Sequence, residues 1–88
     1  MRVILDRGAK KQYGKLNEPD LSRITGAIND LKEEPPKGDI EPLGNRGNQR
    51  RLRIGGYRIL FEMQRDFILV TNIERRGQAY KKKTRGKK

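Results

Sequence analysis

The chain of 88 residues contains 22 Lys and Arg against 11 Asp and Glu, a formal net charge of +11, and has neither cysteine nor histidine. This length predicts one domain with a modest core. The absence of cysteine and histidine excludes disulfides, thiolate metal sites and acid–base catalysis by imidazole, and we expect neither a metal nor another cofactor.

The N-terminal half predicts a strand and two helices. Residues 3–5 form an apolar run that suits a buried strand but is too short for a signal peptide or a membrane span, so we expect a cytoplasmic protein that binds no membrane. Asp6 is a candidate N-cap for a helix over residues 7–16. A second helix begins near Leu21, carries its apolar residues on one face and ends before Pro35.

The C-terminal half predicts three strands in a row. Residues 37–48 are rich in Gly, Pro and Asn and read as a connection. Residues 49–54 alternate between apolar and basic side chains, and a Gly-Gly pair then predicts a tight hairpin to residues 57–64. A further apolar strand spans residues 67–73. Together with the N-terminal strand, these elements predict an α+β fold in which a helical hairpin packs on a four-stranded antiparallel sheet.

Positive charge is concentrated in the second half of the chain. Residues 1–44 hold equal numbers of basic and acidic residues, whereas residues 45–88 hold fourteen basic residues against three acids and so carry the whole net charge of +11. Such a one-sided charge is the electrostatic footprint of a nucleic-acid binder. The alternative is a neutral domain with a solubilising basic tail at residues 81–88, which we expect to be disordered. That alternative is disfavoured because the predicted strands are basic too.

The basic residues of the strands suggest a phosphate-binding surface. Arg51 and Arg53 are two residues apart on one strand and therefore share a face, and Arg58 follows on the neighbouring strand. Arg75 ends the last strand together with Arg76. The planar guanidinium fork suits phosphate oxygens. The alternative is an ordinary solvated sheet face, in which these like charges would repel one another across the strands.

Two further residues allow two interpretations each. Tyr80 lies among cations, where it could stack on an exposed base or instead cap the edge of the core. Glu41 precedes the basic strands and would stay ionised beside arginines, so that it could accept the proton of a ribose hydroxyl. Its alternative is a surface acid of the connecting loop.

Three segments, taken in order, resemble the RelE/ParE toxin superfamily. They are residues 41–43 with the sequence EPL, residues 51–61 with RLRIGGYRILF, and residues 75–80 with RRGQAY. The second segment is similar to the family's basic strand, short turn and Tyr-Arg pair, and the third to its Arg-x-x-x-Tyr ending. The resemblance covers most of the chain and implies a toxin domain over residues 1–80, followed by the basic tail.

The resemblance implies a RelE-like mRNA interferase. Such a toxin of a type II toxin–antitoxin system is a ribosome-dependent endoribonuclease, inhibits translation and is held inactive by a cognate acidic, RelB-like antitoxin. Its chemistry is attack of the ribose 2′-hydroxyl on the adjacent phosphate, which leaves a cyclic phosphate and a free 5′-hydroxyl. Its partners would be the antitoxin and the ribosome with bound mRNA.

Matching positions carry the family's roles onto this sequence. Arg58 would hold the scissile phosphate. Arg76, with Arg75, would stabilise charge or assist the leaving group, and Tyr80 would stack on a base. The remaining RNA contacts would come from Arg51, Arg53, Lys81, Lys82 and Lys83.

The general base stays open. Arg51 and Arg53 match positions that are lysine in the best-known RelE type, and arginine keeps its proton too firmly to act as a base. Glu41 matches a glutamate base of YoeB-like relatives, which also use a C-terminal histidine that this chain lacks. Glu41 is therefore ranked first by elimination.

Two other functions remain open from the sequence. One is a ParE-like inhibitor of DNA gyrase, disfavoured because ParE types usually lack the pair formed here by Arg76 and Tyr80. The other is a non-catalytic RNA- or ribosome-binding module, which would bind RNA in a salt-sensitive manner without cutting it.

Overall fold

A computed structural model describes residues 1–44 and 47–75. The predictions for Arg76, Tyr80 and the basic tail lie outside these residues. The elements in chain order are β1 (Arg2–Leu5), α1 (Arg7–Gly14), α2 (Asp20–Leu31), β2 (Asp39–Pro42), β3 (Gln49–Ile54), β4 (Tyr57–Met63) and β5 (Phe67–Arg75). Among the described helices, none is long and apolar enough to cross a membrane.

The described strands form one five-stranded sheet in the order β1-β5-β4-β3-β2. All neighbouring pairs are antiparallel except β1 and β5, which run parallel. The predicted α+β class, with two helices packed on a sheet, is confirmed. The prediction of four strands, all antiparallel, is wrong in its number and in the direction of β1.

Both corrections have a physical cause. β2 is four residues long and has one inward apolar residue, Ile40, so it lacks the alternation that reveals a strand. It exists because it pairs with β3, with Ile40 opposite Leu52. The direction of β1 is set by its partner β5, which is remote in sequence, and the local pattern of a strand does not encode that direction.

The core lies between the helices and one face of the sheet. Asp6 caps α1 by accepting a 2.9 Å hydrogen bond from the Ala9 amide, as predicted. α2 buries the predicted apolar face, and the sheet supplies inward residues from β3, β4 and β5. The largest fully buried side chains are Phe61, Ile24, Leu31, Leu52, Ile59, Ile68 and Val70. With this face occupied, the opposite face of the sheet is available to polar side chains.

Within the described part of the chain, side-chain hydrogen bonds attach the helices to one another and to the sheet at three places. The hydroxyls of Tyr13 and Thr25 lie 2.6 Å apart between α1 and α2. The Gln12 Oε1 accepts from the Ile73 amide at 2.7 Å, beyond the point where β1 stops pairing with β5. The Tyr57 hydroxyl donates to Asp20 at 3.0 Å, and burial raises the pKa of Tyr57, with the Asp20 bond adding to the effect.

A β-bulge interrupts the pairing of β4 with β5. Leu60 pairs with Asn72 and Phe61 with Val70, so Thr71 is an extra residue on β5. Its hydroxyl donates to the Leu60 carbonyl at 3.3 Å. Because side chains alternate along a strand, the extra residue reverses the faces of every β5 residue that follows it.

The glycine that precedes β2 is required by its conformation and surroundings. Gly38 has φ +127, and a Cβ there would collide with the buried side chain of Leu52. We expect Gly38→Ala to lower the free energy of unfolding by about 2–4 kcal/mol through backbone strain and overpacking. Gly26→Ala, in the exposed face of α2 with open space at its Cβ, should instead raise it by about 0.5–1 kcal/mol. Urea denaturation measures both, and equal effects of the two variants would contradict this account.

Candidate functional site

The sheet face turned away from the helices carries a row of four charged residues, one from each of four adjacent strands. Asp39 of β2 pairs with Arg53 of β3, Arg53 with Arg58 of β4, and Arg58 with Glu74 of β5. Directly opposite residues project on the same side of a sheet, at Cβ separations of about 4.5–5.5 Å. The four side chains therefore form one polar line, here called the Arg58 row.

A second row runs beside the first. Glu41 pairs with Arg51, Arg51 with Leu60, and Leu60 with Asn72. Since Arg51 and Arg53 are two residues apart on β3, this Arg51 row occupies the same face as the Arg58 row. Glu41, expected in a loop, thus lies on strand β2.

The acids of β2 hold the arginines of β3. Both Nε and Nη2 of Arg51 donate to one oxygen of Glu41, Oε2, at 3.1 Å and 2.6 Å. The Nε of Arg53 lies 3.2 Å from an oxygen of Asp39 and 3.9 Å from the same Glu41 oxygen. Two basic and two acidic residues thus neutralise one another at the β2–β3 edge, which removes much of the repulsion expected between arginines on one face.

The Glu41–Arg51 pair makes Glu41 a weak base. The hydrogen bonds from Arg51 lower the pKa of Glu41 most, and the charge of Arg51 lowers it further. Desolvation opposes them, and the charge of Arg53 makes the smallest contribution, in the lowering direction. A carboxylate whose charged form is held in this way has little tendency to accept a proton. The geometry therefore weakens the interpretation of Glu41 as the general base.

Arg58 is in the opposite situation. Its Nε is buried and has no hydrogen-bond partner among the described residues, and no described acid lies within ion-pair distance of its guanidinium. An unsatisfied buried donor costs about 1–3 kcal/mol, and more when charged. An anion that accepts from this group would recover that cost.

Arg58 opens onto a surface depression of about 620 Å³. Its walls combine the end of β2 and the loop after it with the outer sheet face. The lining residues are Pro42, Leu43, Gly44, Arg51, Arg58, Leu60 and Glu74. Two guanidinium groups, one of them without an acidic partner, thus face a space large enough for part of a nucleotide.

The structure brings together three of the arginines predicted for the site. Arg51 and Arg58 line the depression, and Arg53 lies opposite Arg58 in its row. Arg75 does not join them. It pairs with the inward-facing Tyr57 and therefore projects on the helix side of the sheet. The predicted site residues outside the described part of the chain are Arg76, Tyr80, Lys81, Lys82 and Lys83.

Three residues of the site were not predicted from the sequence: Leu60, Asn72 and Glu74. Strict alternation from the buried Ile68 and Val70 would point Glu74 into the core, whereas the bulge points it onto the arginine face. The sequence signal of this change is Ile73, an apolar residue that lies three positions after Val70, whereas Ile68 and Val70 are two positions apart.

Arg51 lowers the pKa of Glu41 more than Arg53 does, and this difference can be tested. Because the pKa of Glu41 is lowered from 4.5 on folding, the Glu41–Arg51 pair stabilises the fold above that pH, and this stabilisation is lost as pH falls through the lowered pKa. We expect Arg51→Met to raise the pKa of Glu41 clearly and Arg53→Met to raise it less. Carboxyl-carbon NMR titration measures both. A larger shift in the Arg53 variant, or none in either, would contradict the geometry.

Comparison with known proteins places these features in a family. Residues 3–80 match the family model described as the ParE toxin of the type II toxin–antitoxin system, parDE. The chain therefore belongs to the RelE/ParE superfamily, and it is a toxin of a toxin–antitoxin system. The resemblance noted from its sequence motifs is confirmed. No curated protein shows significant sequence similarity to it.

The fold is shared with solved structures, two of which are compared here. A chain of the RelB–RelE antitoxin–toxin complex from Methanococcus jannaschii superposes with a TM-score of 0.73 at 22% identity, covering 89% of this chain and 95% of that one. A chain of the archaeal RelE–RelB complex from Pyrococcus horikoshii OT3 gives a TM-score of 0.72 at 24% identity, with 88% and 96% covered. At these identities the likeness establishes the fold.

Proposed function

We propose that this toxin is a RelE-like endoribonuclease that cuts mRNA on the ribosome, with Arg58 holding the scissile phosphate. The observation that carries the proposal is the buried, unpartnered Nε of Arg58 beside a depression that Arg51 also lines. A phosphate offers oxygen acceptors and negative charge. Among the described residues, Arg58 has no acceptor at its Nε and no acidic partner, so a phosphate would supply both.

The reaction would proceed by attack of the ribose 2′-oxygen on the adjacent phosphorus. A P–O2′ bond forms and the P–O5′ bond breaks, which gives a 2′,3′-cyclic phosphate and a 5′-hydroxyl. A base takes the 2′-hydroxyl proton, and the departing 5′-oxygen receives a proton. Arg58 would stabilise the charge that grows on the non-bridging oxygens, in a site where part of its guanidinium is already desolvated.

The residues beyond β5 keep the roles that the family resemblance implies. Arg76 would stabilise charge near the leaving oxygen, and Tyr80 would stack on a base of the message. Lys81, Lys82 and Lys83 would contact ribosomal RNA. The toxin domain would comprise residues 1–80, and the protein would act in the cytoplasm, where translating ribosomes are found.

An acidic, RelB-like antitoxin would be the second partner. The net charge of +11 favours association with an acidic segment. The two similar chains compared above come from complexes of RelE with RelB. An antitoxin carboxylate placed at Arg58 would supply the acceptor that this group lacks and would compete directly with the message.

Replacement of the phosphate-holding arginine tests the proposal. Arg58→Ala should reduce cleavage of ribosome-bound mRNA by about 10²–10³-fold, the usual effect of removing one donor to a developing oxyanion. Primer extension in a translating extract measures the cut ends. Arg65→Ala is the matched control, because it removes the same charge from an exposed position between β4 and β5 and should leave cleavage unchanged.

Growth assays provide an independent measurement. Arg58→Ala and Tyr80→Ala should each relieve the growth arrest that follows induction of the toxin, and the Arg65 control should not. Full toxicity of the double variant would mean that the assigned mechanism is wrong.

A second candidate function is inhibition of DNA gyrase, which ParE-like toxins perform. It is favoured by the family model that matches, since that model carries the ParE name. The two functions differ in what accumulates after induction. A gyrase inhibitor gives broken DNA and an SOS response with intact transcripts, whereas an endoribonuclease gives cut transcripts first.

A further inference from the structure

We propose that Glu74 is the general base that accepts the proton of the attacking ribose 2′-hydroxyl. The inference rests on the proposed RNA cleavage and names a residue for one of its steps. Neither the sequence motifs nor the family resemblance assign a role to Glu74. The inference is carried by the position of Glu74 opposite Arg58 and by the absence of a described arginine partner on its carboxylate.

The bulge in β5 places Glu74 on the sheet face that carries Arg58. It pairs directly with Arg58 across the β4–β5 ladder and lines the same depression as Arg58 and Arg51. In a nucleotide the attacking 2′-oxygen must approach within about 3–3.5 Å of the phosphorus. A base and a phosphate-holding group must therefore be close neighbours, as Glu74 and Arg58 are.

The carboxylate of Glu74 is oriented but not neutralised. Its Oε2 accepts a 2.7 Å hydrogen bond from the amide nitrogen of Asn72, which lies in the neighbouring row. No described residue donates to its Oε1, and no described cation lies within ion-pair distance. One oxygen is thus held by an uncharged donor while the other can meet a hydroxyl.

The other described carboxylates of this face are committed elsewhere. Glu41 and Asp39 each pair with an arginine of β3. Glu62, further along β4, accepts from the amide groups of Gln49 and Gln64 and does not line the depression. Among the described residues, the charged group that faces Glu74 from an adjoining strand is Arg58, since β1 pairs only with residues 67–70 of β5. Arg51 of β3 lines the same depression.

The step balances without a further reagent. Glu74 takes the 2′-hydroxyl proton as the P–O2′ bond forms, and the P–O5′ bond breaks with its electron pair going to the 5′-oxygen. That oxygen takes a proton from water, and the protonated Glu74 returns its proton to solvent after the products leave. Arg58 remains charged throughout and holds the non-bridging oxygens.

Single-turnover cleavage of ribosome-bound mRNA across a range of pH tests the assignment. Glu74→Gln keeps the size of the side chain and an acceptor for Asn72, so it removes only the base. Its rate should fall by about 10²–10⁴-fold, the usual contribution of a general base. The increase in rate with pH that accompanies ionisation of the base in the unmodified toxin should also disappear. Glu62→Gln, a carboxylate of the same face, should retain both rate and pH dependence.

A substrate with sulfur in place of the bridging 5′-oxygen separates this role from help to the leaving group. Thiolate leaves without a proton, so the sulfur substrate restores variants defective in leaving-group stabilisation. It should not restore Glu74→Gln, because the proton of the nucleophile still lacks an acceptor. Restoration to the unmodified rate would overturn the assignment.

The remaining outcomes distinguish this inference from the proposed function. If the unmodified toxin cuts no RNA, the proposed function fails and the inference with it. If the unmodified toxin cuts and Glu74→Gln cuts equally well with the same pH dependence, only the inference fails. Should Glu74→Gln fold poorly, as judged by antitoxin binding, Glu74→Asp replaces it. The aspartate should cut slowly with the pH dependence retained, and a slow variant without that dependence would overturn the inference.

Discussion

The extra residue in β5 is the constraint on which the site depends. Thr71 has no residue opposite it in the pairing of β5 with β4, and its insertion turns Ile73 into the core while Asn72 and Glu74 turn onto the arginine face. Without the insertion, Ile73 would stand opposite Arg58 and the carboxylate would point at the helices. Bulges are often found next to active sites because they re-aim side chains in this way. One residue thus gives the sheet both a continuous core and a charged face.

Electrostatics divides the charged face into two parts. At the β2–β3 edge, Asp39 and Glu41 from the neutral half of the chain offset Arg53 and Arg51. Toward the middle of the sheet, Arg58 has no such partner among the described residues. The net charge of the second half therefore overstates how much positive charge this face presents. Among the described arginines of this face, Arg58 is the one without an acidic partner, and its partly desolvated guanidinium selects for an anion placed at a defined point.

Much of the fold follows from sequence pattern, and the exceptions have a common cause. The two helices, the cap at Asp6 and strands β3 to β5 were predictable because each has a local apolar period or a turn signal. The strand at residues 39–42, the direction of β1 and the bulge all depend on pairing with another strand, which the periodicity of a single segment does not determine. For the site, the shared face of Arg51, Arg53 and Arg58 was predictable from spacing. The placement of Glu74 and Arg75 was not, because both follow the bulge.

The hydrogen bond from the Ile73 amide to Gln12 shows how a short strand is compensated. β1 pairs with β5 only as far as Val70, so among the described strands the last residues of β5 have a neighbour on the β4 side alone. A glutamine side chain from α1 takes the place of the missing backbone carbonyl at Ile73. This side chain therefore opposes local opening of the end of β5. A helix on the core side of the sheet thus supports the segment that places Glu74 opposite Arg58.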